Sequence, residues 1–345
     1  MVRRAGSRLL ADLAGWPVTA ETWARPPAPV SSAARATRPD RAELQDRTLS
    51  EYQQRAINHV ASRSFGDPLG HELRVTVNFY PELVVAGSTV LATMVREGMY
   101  RNQFETGVTA GDPSAHHGGG RWLWESQVFG GAYDEAPFDQ RPKYGSLNFR
   151  RRTTGGAPRF GPVHLRLKRE TIFRTTFCYP DSAFQPVDFG VASRINLVHV
   201  AREAAVSPRR LDEDYIDYIE AHLHGALVLE RDVEAIVLDP CYAGTDVERL
   251  ARDLPCRVEW HGGFTLDARL LPRFQAYREA KYAELGAALA RDGQLDAKVI
   301  GDALMAGEHD TQTLKRVWHY VAWFGDLDAP IVANAAKGNG DVDEC

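Results

Sequence analysis

The sequence has little cysteine, little lysine and no long apolar run. Four cysteines stand in 345 residues, at positions 178, 241, 256 and 345. No two have the C-x-x-C spacing of a zinc knuckle or a thioredoxin-type motif. A chain of this length buries about three quarters of its unfolded surface, so it needs no disulfide staples. Free thiols in a reducing compartment are the simple expectation. No stretch approaches the roughly 20 apolar residues of a membrane-spanning helix. Arg3, Arg4 and Arg8 precede Leu9-Leu10, but Asp12 cuts that stretch, so no signal-peptide apolar region forms. A cytoplasmic location and no membrane partner are therefore expected, with signal-independent secretion left open. Six lysines against 35 arginines read as compositional bias and carry no function. The net charge of −5, from 41 basic and 46 acidic residues, argues against a nucleic-acid partner held by an overall positive field.

Several motifs are missing too. No Lys-Ser/Thr follows Gly118-Gly119-Gly120, and no G-x-G-x-x-G follows a strand pattern. Neither Ser146 nor Ser182 lies in G-x-S-x-G. Phosphate-loop ATPases, nicotinamide dehydrogenases of the doubly wound kind and serine hydrolases lose their basis. Cys178, between Phe177 and Tyr179, reads as a core thiol.

Residues 1–40 read as a tail, Pro/Ala/Ser-rich around 24–32. Asp40 is a candidate N-cap for a helix from Arg41 to about Ser62, within an N-terminal segment 41–69. A core spans 70–265, a C-terminal helical segment 266–330, and a second tail 331–345. Strands are expected at 72–79, 144–149, 163–168, 171–177 and 218–229, from β-rich alternation. Thr89–Glu97 should be a helix closed by Gly98. Helices are expected at 266–290, 294–305 and 310–324. On the last, Trp318, His319, Trp323 and Phe324 fall at packing spacing. Between 100 and 160 glycine, aromatic and polar residues interleave, as in long functional loops.

Glu220-x-His222-x-His224 is the sharpest feature. Alternation on a strand puts all three side chains on one face and Ile219, Ala221 and Leu223 on the other. A carboxylate fixed on a sheet can oppose a developing cation or act as a base. The bland alternative is the solvated face of an edge strand. The same triplet, with His116-His117, could form part of a metal site, although no other ligand spacing supports one. Arg101 could hold a phosphate through its fork, or simply pair with Glu105.

Several segments resemble a bacterial family catalogued as a domain of unknown function, number 3626. They are 77–82, 98–107, 129–134, 141–148, 158–161, 174–177 with Asp181-Ser182, and 220–225. The order Tyr-Gly, Leu-Lys, Arg-Thr-Thr, Asp-Ser and Glu-x-x-x-His-Gly is also similar, more distantly, to ADP-ribosyltransferase domains of toxins and phage-associated proteins. That resemblance implies an α+β fold with a split β-sandwich core that clamps NAD, flanked by helices. It implies that Glu220 stabilises the ribosyl oxocarbenium on a late strand. Tyr144 or Ser146 matches the middle strand, and Asn78-Phe79-Tyr80 the first. The chain departs from the pattern at Tyr80, where His is expected, at Leu83, where a basic residue is expected, and at His222, where Gln or Glu is expected.

The resulting expectation is ADP-ribosyl transfer from NAD to an unknown protein or small-molecule acceptor, or hydrolysis of NAD. Glu220, His222 and Tyr144 are the catalytic candidates. Asn78, Tyr80, Arg101, Phe104, Thr106 and Ser146 are the NAD-binding candidates, with no resident metal. Two other classes stay open: a metal-dependent hydrolase using Glu220, His222 and His224, and a non-catalytic binding module on the same fold.

Overall fold

The computed structural model describes residues 48–107, 114–182, 185–206 and 218–327. The expected tails 1–40 and 331–345, and the expected cap at Asp40, lie outside these residues. Eight strands form the main sheet. They are β1 (Val75–Phe79), β2 (Lys143–Leu147), β3 (Val163–Leu167), β4 (Thr175–Tyr179), β5 (Asp188–Val191), β6 (Ile219–Leu223), β7 (Val233–Leu238) and β8 (Arg257–Trp260). Their order across the sheet is β8-β7-β3-β1-β2-β6-β4-β5. All neighbours are antiparallel except β7 and β8, whose parallel pairing is bridged by a helical crossover. Helix and strand are mixed, as expected of an α+β chain.

Among the described residues, eight α-helices of seven or more residues accompany the sheet: α1 (Glu51–Ser62), α2 (Val90–Glu97), α3 (Gly120–Val128), α4 (Leu197–Val206), α5 (Asp246–Arg252), α6 (Ala280–Leu289), α7 (Ala297–Ala306) and α8 (Thr311–Phe324). Helix α1, expected from Arg41, starts at Glu51, behind a capping box in which Ser50 and Gln53 satisfy each other's backbone N–H groups. Helix α2 is capped by Thr89 and ends at left-handed Gly98, as its sequence predicts. Helix α3 stands where only loop was expected. The glycine run reads as a breaker, but Gly119 is its N-cap residue and the Ser114 hydroxyl accepts from the Arg121 amide at 3.0 Å.

Several expected elements are shorter than their patterns; the strand expected at 72–79 starts at Val75, and the helix expected at 294–305 starts at Ala297. The strand expected at 218–229 stops at Leu223, ahead of a turn in which Gly225 takes a positive φ of 80°. The one expected at 171–177 starts at Thr175, because Arg169–Arg174 winds into a 3₁₀ turn. The helix expected at 266–290 is a 3₁₀ segment, Ala268–Tyr277, followed by α6. Pro272 inside the first half has no amide to donate to an α-helix.

Strand alternation divides the sheet into two faces. Val75, Val77, Phe79, Leu147, Leu165, Phe177, Ile219, Ala221, Leu223 and Ile236 belong to the main hydrophobic core. Leu91 and Met94 of α2, Val247 and Ala251 of α5, and Leu314, Val317 and Trp318 of α8 join the same core. Residues 266–327 thus pack into the body of the sheet. A second, smaller core on the other face gathers Ala56 and Val60 of α1 with Phe129, Tyr133, Cys178 and Phe189. No helix of the described residues is long and apolar enough to cross a membrane.

Candidate active site

The second face of the sheet is polar at its centre and dry. Register aligns Thr76 of β1 with Ser146 of β2, Ser146 with Glu220 of β6, and Glu220 with Cys178 of β4. One pair further along, Tyr144 faces His222 and His222 faces Thr176. All of these except half-buried Tyr144 are buried, and Glu220 is only 5% exposed. The bland expectation of a solvated edge does not hold, because β6 lies between β2 and β4 and is buried on both faces. A buried polar group costs about 1–3 kcal/mol when left unpaired, so this face depends on its hydrogen bonds.

Those bonds form a chain. His222 Nε2 lies 2.8 Å from Glu220 Oε1 and Nδ1 lies 3.2 Å from the Thr176 hydroxyl. That hydroxyl is 3.0 Å from His224 Nε2, and His224 Nδ1 is 2.6 Å from the Tyr133 hydroxyl. With His222 donating to the carboxylate, one assignment satisfies every atom. Tyr133 donates to His224, His224 to Thr176, Thr176 to His222, and His222 to Glu220. Burial pushes His224 well below its usual range, with His222 and Arg174 adding to the effect, so its ring is neutral as this assignment needs. Phe129 sets its ring edge-on to both imidazoles, at 5.2 and 5.4 Å, and fixes their planes.

Helix α3 covers the Glu220 end. Arg121, Glu125 and Val128 recur on its buried side at helical spacing. Arg121 places its guanidinium 4.4 Å from the centre of the Tyr144 ring. Glu125 accepts from the Tyr144 hydroxyl at 3.0 Å and from Arg141 at 2.6 Å. Burial opposes ionisation of Glu220, but the contributions of His222, then Ser182 and Arg121, together outweigh it and hold the carboxyl below its usual range. Burial raises the Cys178 thiol far above its usual range, and the neighbouring Glu220 charge adds to that. The site therefore holds a charged carboxylate, a protonated thiol and a neutral imidazole in one dry row.

A family model described as "Protein of unknown function (DUF3626)" matches residues 74–206 and 200–322. The chain belongs to this family. No curated protein matches it. In this DUF3626 chain the matched span holds every strand of the main sheet and the whole polar row.

Of the residues expected at the site, the DUF3626 fold brings Glu220, His222, Tyr144 and Ser146 together on one face. Asn78 shares that face but is engaged elsewhere. Its amide donates to the Thr154 and Gly161 carbonyls, both at 3.1 Å, and accepts from Ala157. Thr76 accepts from the Gly156 amide at 2.8 Å. The loop 154–161 is thereby pinned over β1 and β2. Gly156 is required there, since a Cβ would stand 2.5 Å from the Ser146 hydroxyl. Tyr80 lies beyond the strand end, buried against Trp318 with ring centres 6.1 Å apart.

Arg101, Phe104 and Thr106 do not join the row. Arg101 spends its guanidinium on Glu97 and Glu105, at 2.6 and 2.9 Å. Phe104 lies under Arg141, its ring centre 4.4 Å away, and so acts on Tyr144 only through Arg141 and Glu125. The Thr106 hydroxyl turns back to the Asn102 carbonyl. Arg121, Glu125, Tyr133 and Thr176 were missed as site residues. The glycine-aromatic character of 100–160 flags the region of the first three, but nothing in the sequence tells which side chains turn inward.

Cys178, Glu220 and His222 also offer three metal-ligand atoms within 4.8 Å of one another. This set differs from the expected one. His224 is committed to Thr176 and Tyr133, and His116 and His117 are exposed.

Proposed function

We propose that the chain cleaves the nicotinamide–ribose bond of NAD and transfers ADP-ribose to a protein or small-molecule acceptor, or to water. On this reading the sheet is an ADP-ribosyltransferase-like split β-sandwich core. When the bond breaks, its electron pair leaves with nicotinamide and the ribose carbon becomes cationic. The acceptor then adds a lone pair to that carbon and gives up its proton. Glu220 opposes the cation. A fixed charge in a dry site acts with little screening and needs no reorganisation at the moment of reaction. His222 positions the carboxylate, and Tyr144, the half-buried member of the row, supplies a ring against which nicotinamide can stack.

The observation that carries this reading is the cross-strand row. Thr76, Ser146 and Glu220 lie side by side on the strands that the resemblance names first, middle and late, with the acid ionised. The test is nicotinamide release from NAD by the full chain, with Glu220→Gln alongside. Release that depends on Glu220 is expected. No release, with candidate acceptors present, overturns the reading.

One observation favours a second reading. Cys178 Sγ lies 3.8 Å from Glu220 Oε1 and 3.9 Å from His222 Nε2, and Thr176 holds the other His222 nitrogen. Three ligands so spaced, with a bonded outer partner, suit zinc. Arg121 beside Glu220 opposes a dication there. Metal content of the purified chain separates the two readings: a stoichiometric ion lost in Cys178→Ser favours the second.

A further inference from the structure

The reaction proposed above frees one proton for each acceptor that adds to the ribose carbon, and the polar row has no place for it. Glu220 is the charge that opposes the cation, and a carboxylate that takes a proton gives that charge up. Both His222 nitrogens are engaged, Nε2 with Glu220 at 2.8 Å and Nδ1 with the Thr176 hydroxyl at 3.2 Å. His224 is engaged on both sides too, by Thr176 and Tyr133. Neither imidazole of the row therefore has a free nitrogen.

A second carboxylate lies behind Tyr144. Tyr144 of β2 is the half-buried member of the row, so a ligand that reaches the row meets it first. Its ring lies edge-on to His222, with centres 5.3 Å apart, and its hydroxyl donates to Glu125 Oε1 of α3 at 3.0 Å. Glu125 is fully buried, and its other oxygen accepts from Arg141 at 2.6 Å. Arg141 is held in turn. Its Nη2 donates to the Tyr133 carbonyl at 2.8 Å, and the Phe104 ring lies under its guanidinium at 4.4 Å. Of the two donors to this carboxylate among the described residues, Arg141 is 1% exposed and only Tyr144 is open to solvent. Burial raises the Glu125 carboxyl above its usual range, against the pull of Arg141 and Arg121. The two buried glutamates of the site are thus shifted in opposite directions, which is how one pocket separates a fixed anion from a base.

We propose that Glu125 receives the acceptor's proton through the Tyr144 hydroxyl. This assignment rests on the NAD reading and gives Tyr144 a second task besides stacking. As the acceptor's lone pair forms its bond to the ribose carbon, the acceptor's N–H or O–H proton passes to Tyr144 Oη. The proton that Tyr144 held passes to Glu125 Oε1. Tyr144 ends as it began, and Glu125 ends neutral beside Arg141. Nicotinamide leaves with its electron pair and needs no proton, so the relay serves the acceptor alone. Tyr144 is the catalytic residue of the pair, and Glu125 acts through it. Bond cleavage then depends on Glu220, and capture by a protic acceptor on Tyr144 and Glu125.

The experiment measures nicotinamide release from NAD by the full chain, first with water as acceptor and then with added sodium azide. Azide brings a lone pair and no proton, so it needs no base. Tyr144→Phe keeps the ring and removes the relay. In water it is expected to release nicotinamide about 10²-fold more slowly than the parent, the usual loss of an acid–base group. Azide should restore most of the parent's rate, with ADP-ribosyl azide as the product by mass. Glu220→Gln should stay slow with azide. Glu125→Gln should follow Tyr144→Phe, but it takes the charge from a buried Arg141, so Tyr144→Phe is the deciding variant. Tyr242→Phe breaks another buried Tyr–Glu bond, to Glu82 at 3.0 Å, and should match the parent in both conditions. Parent-like release by Tyr144→Phe in water overturns the relay and leaves the NAD reading standing. Slow release that azide does not restore also overturns the relay, because the hydroxyl then serves bond cleavage or the fold. A parent that releases no nicotinamide removes the NAD reading and the relay with it.

Discussion

The face of the sheet that carries Val77, Phe177 and Ile219 and the face that carries Asn78, Cys178 and Glu220 belong to the same strands, one residue apart in register. Both faces are dry. The first is held by contact, and contact is tolerant: a side chain of similar shape can replace another at small cost. The second is held by directed bonds, and each missing partner strands another atom. Two buried glutamates show the difference. Glu220 is kept ionised by His222 and Arg121 despite burial. Glu82 lies against the main core, where Tyr242 donates to it at 3.0 Å, and burial prevails and raises its carboxyl to about 7. Comparable burial thus goes with shifts in opposite directions, and the neighbours decide which.

Substitutions on the two faces should therefore fail in different ways. The largest effect pairs Phe177→Ala with Glu220→Gln. The first should remove about 3–5 kcal/mol of stability in chemical denaturation while leaving turnover per folded molecule intact. The second should cost less stability than the first, namely what the depressed pKa of Glu220 contributes at neutral pH, and, on the NAD reading, lower turnover about 10²–10³-fold, the usual loss of a preorganised electrostatic group. A Glu220→Gln variant that unfolds like Phe177→Ala would break the distinction.

Thr176→Val should come next. It strands His222 Nδ1 and His224 Nε2, so about 1–3 kcal/mol should be lost for each group. The pH profile of turnover should move as well, because His222 loses the partner that orients it. A stability loss with an unmoved profile would confine the chain of bonds to a structural role.

Glu82→Gln should have the smallest effect, visible only as a slope. Folded Glu82 binds its proton more tightly than the unfolded chain does, so its contribution to stability falls as pH rises from 4.5 to about 7. The variant should flatten that slope in melts across this window. Glu220 carries the opposite sign. Its depressed pKa contributes at neutral pH and is lost as acid protonates the folded carboxyl.

Much of the scaffold was legible because period and punctuation are local. Thr89 and Gly98 bound α2, and the 310–324 pattern matches α8 within a residue. Strand alternation placed Glu220, His222 and His224 opposite Ile219, Ala221 and Leu223. It could not tell a buried polar face from a solvated one, because that depends on which strands flank β6. Trp318 and Pro158 lie 160 positions apart, and only the docking of α8 on the Pro158 turn joins them. Arg101 was singled out for its chemistry, but two acids, four residues before it and four after, already satisfy it.

The bonds from Tyr133 to Glu220 all point one way, and a row of bonds with one direction can be reversed only as a whole. If the His222 ring gains a proton, its Nδ1 stops accepting and starts donating. Thr176 must then turn its hydroxyl toward His224, His224 must change tautomer, and Tyr133 must find another acceptor for its proton. The row therefore behaves as a single lever, with its short arm at the carboxylate and its far end among the residues 129–136. A charge change beside Glu220 is felt at Tyr133 without any strand having to move.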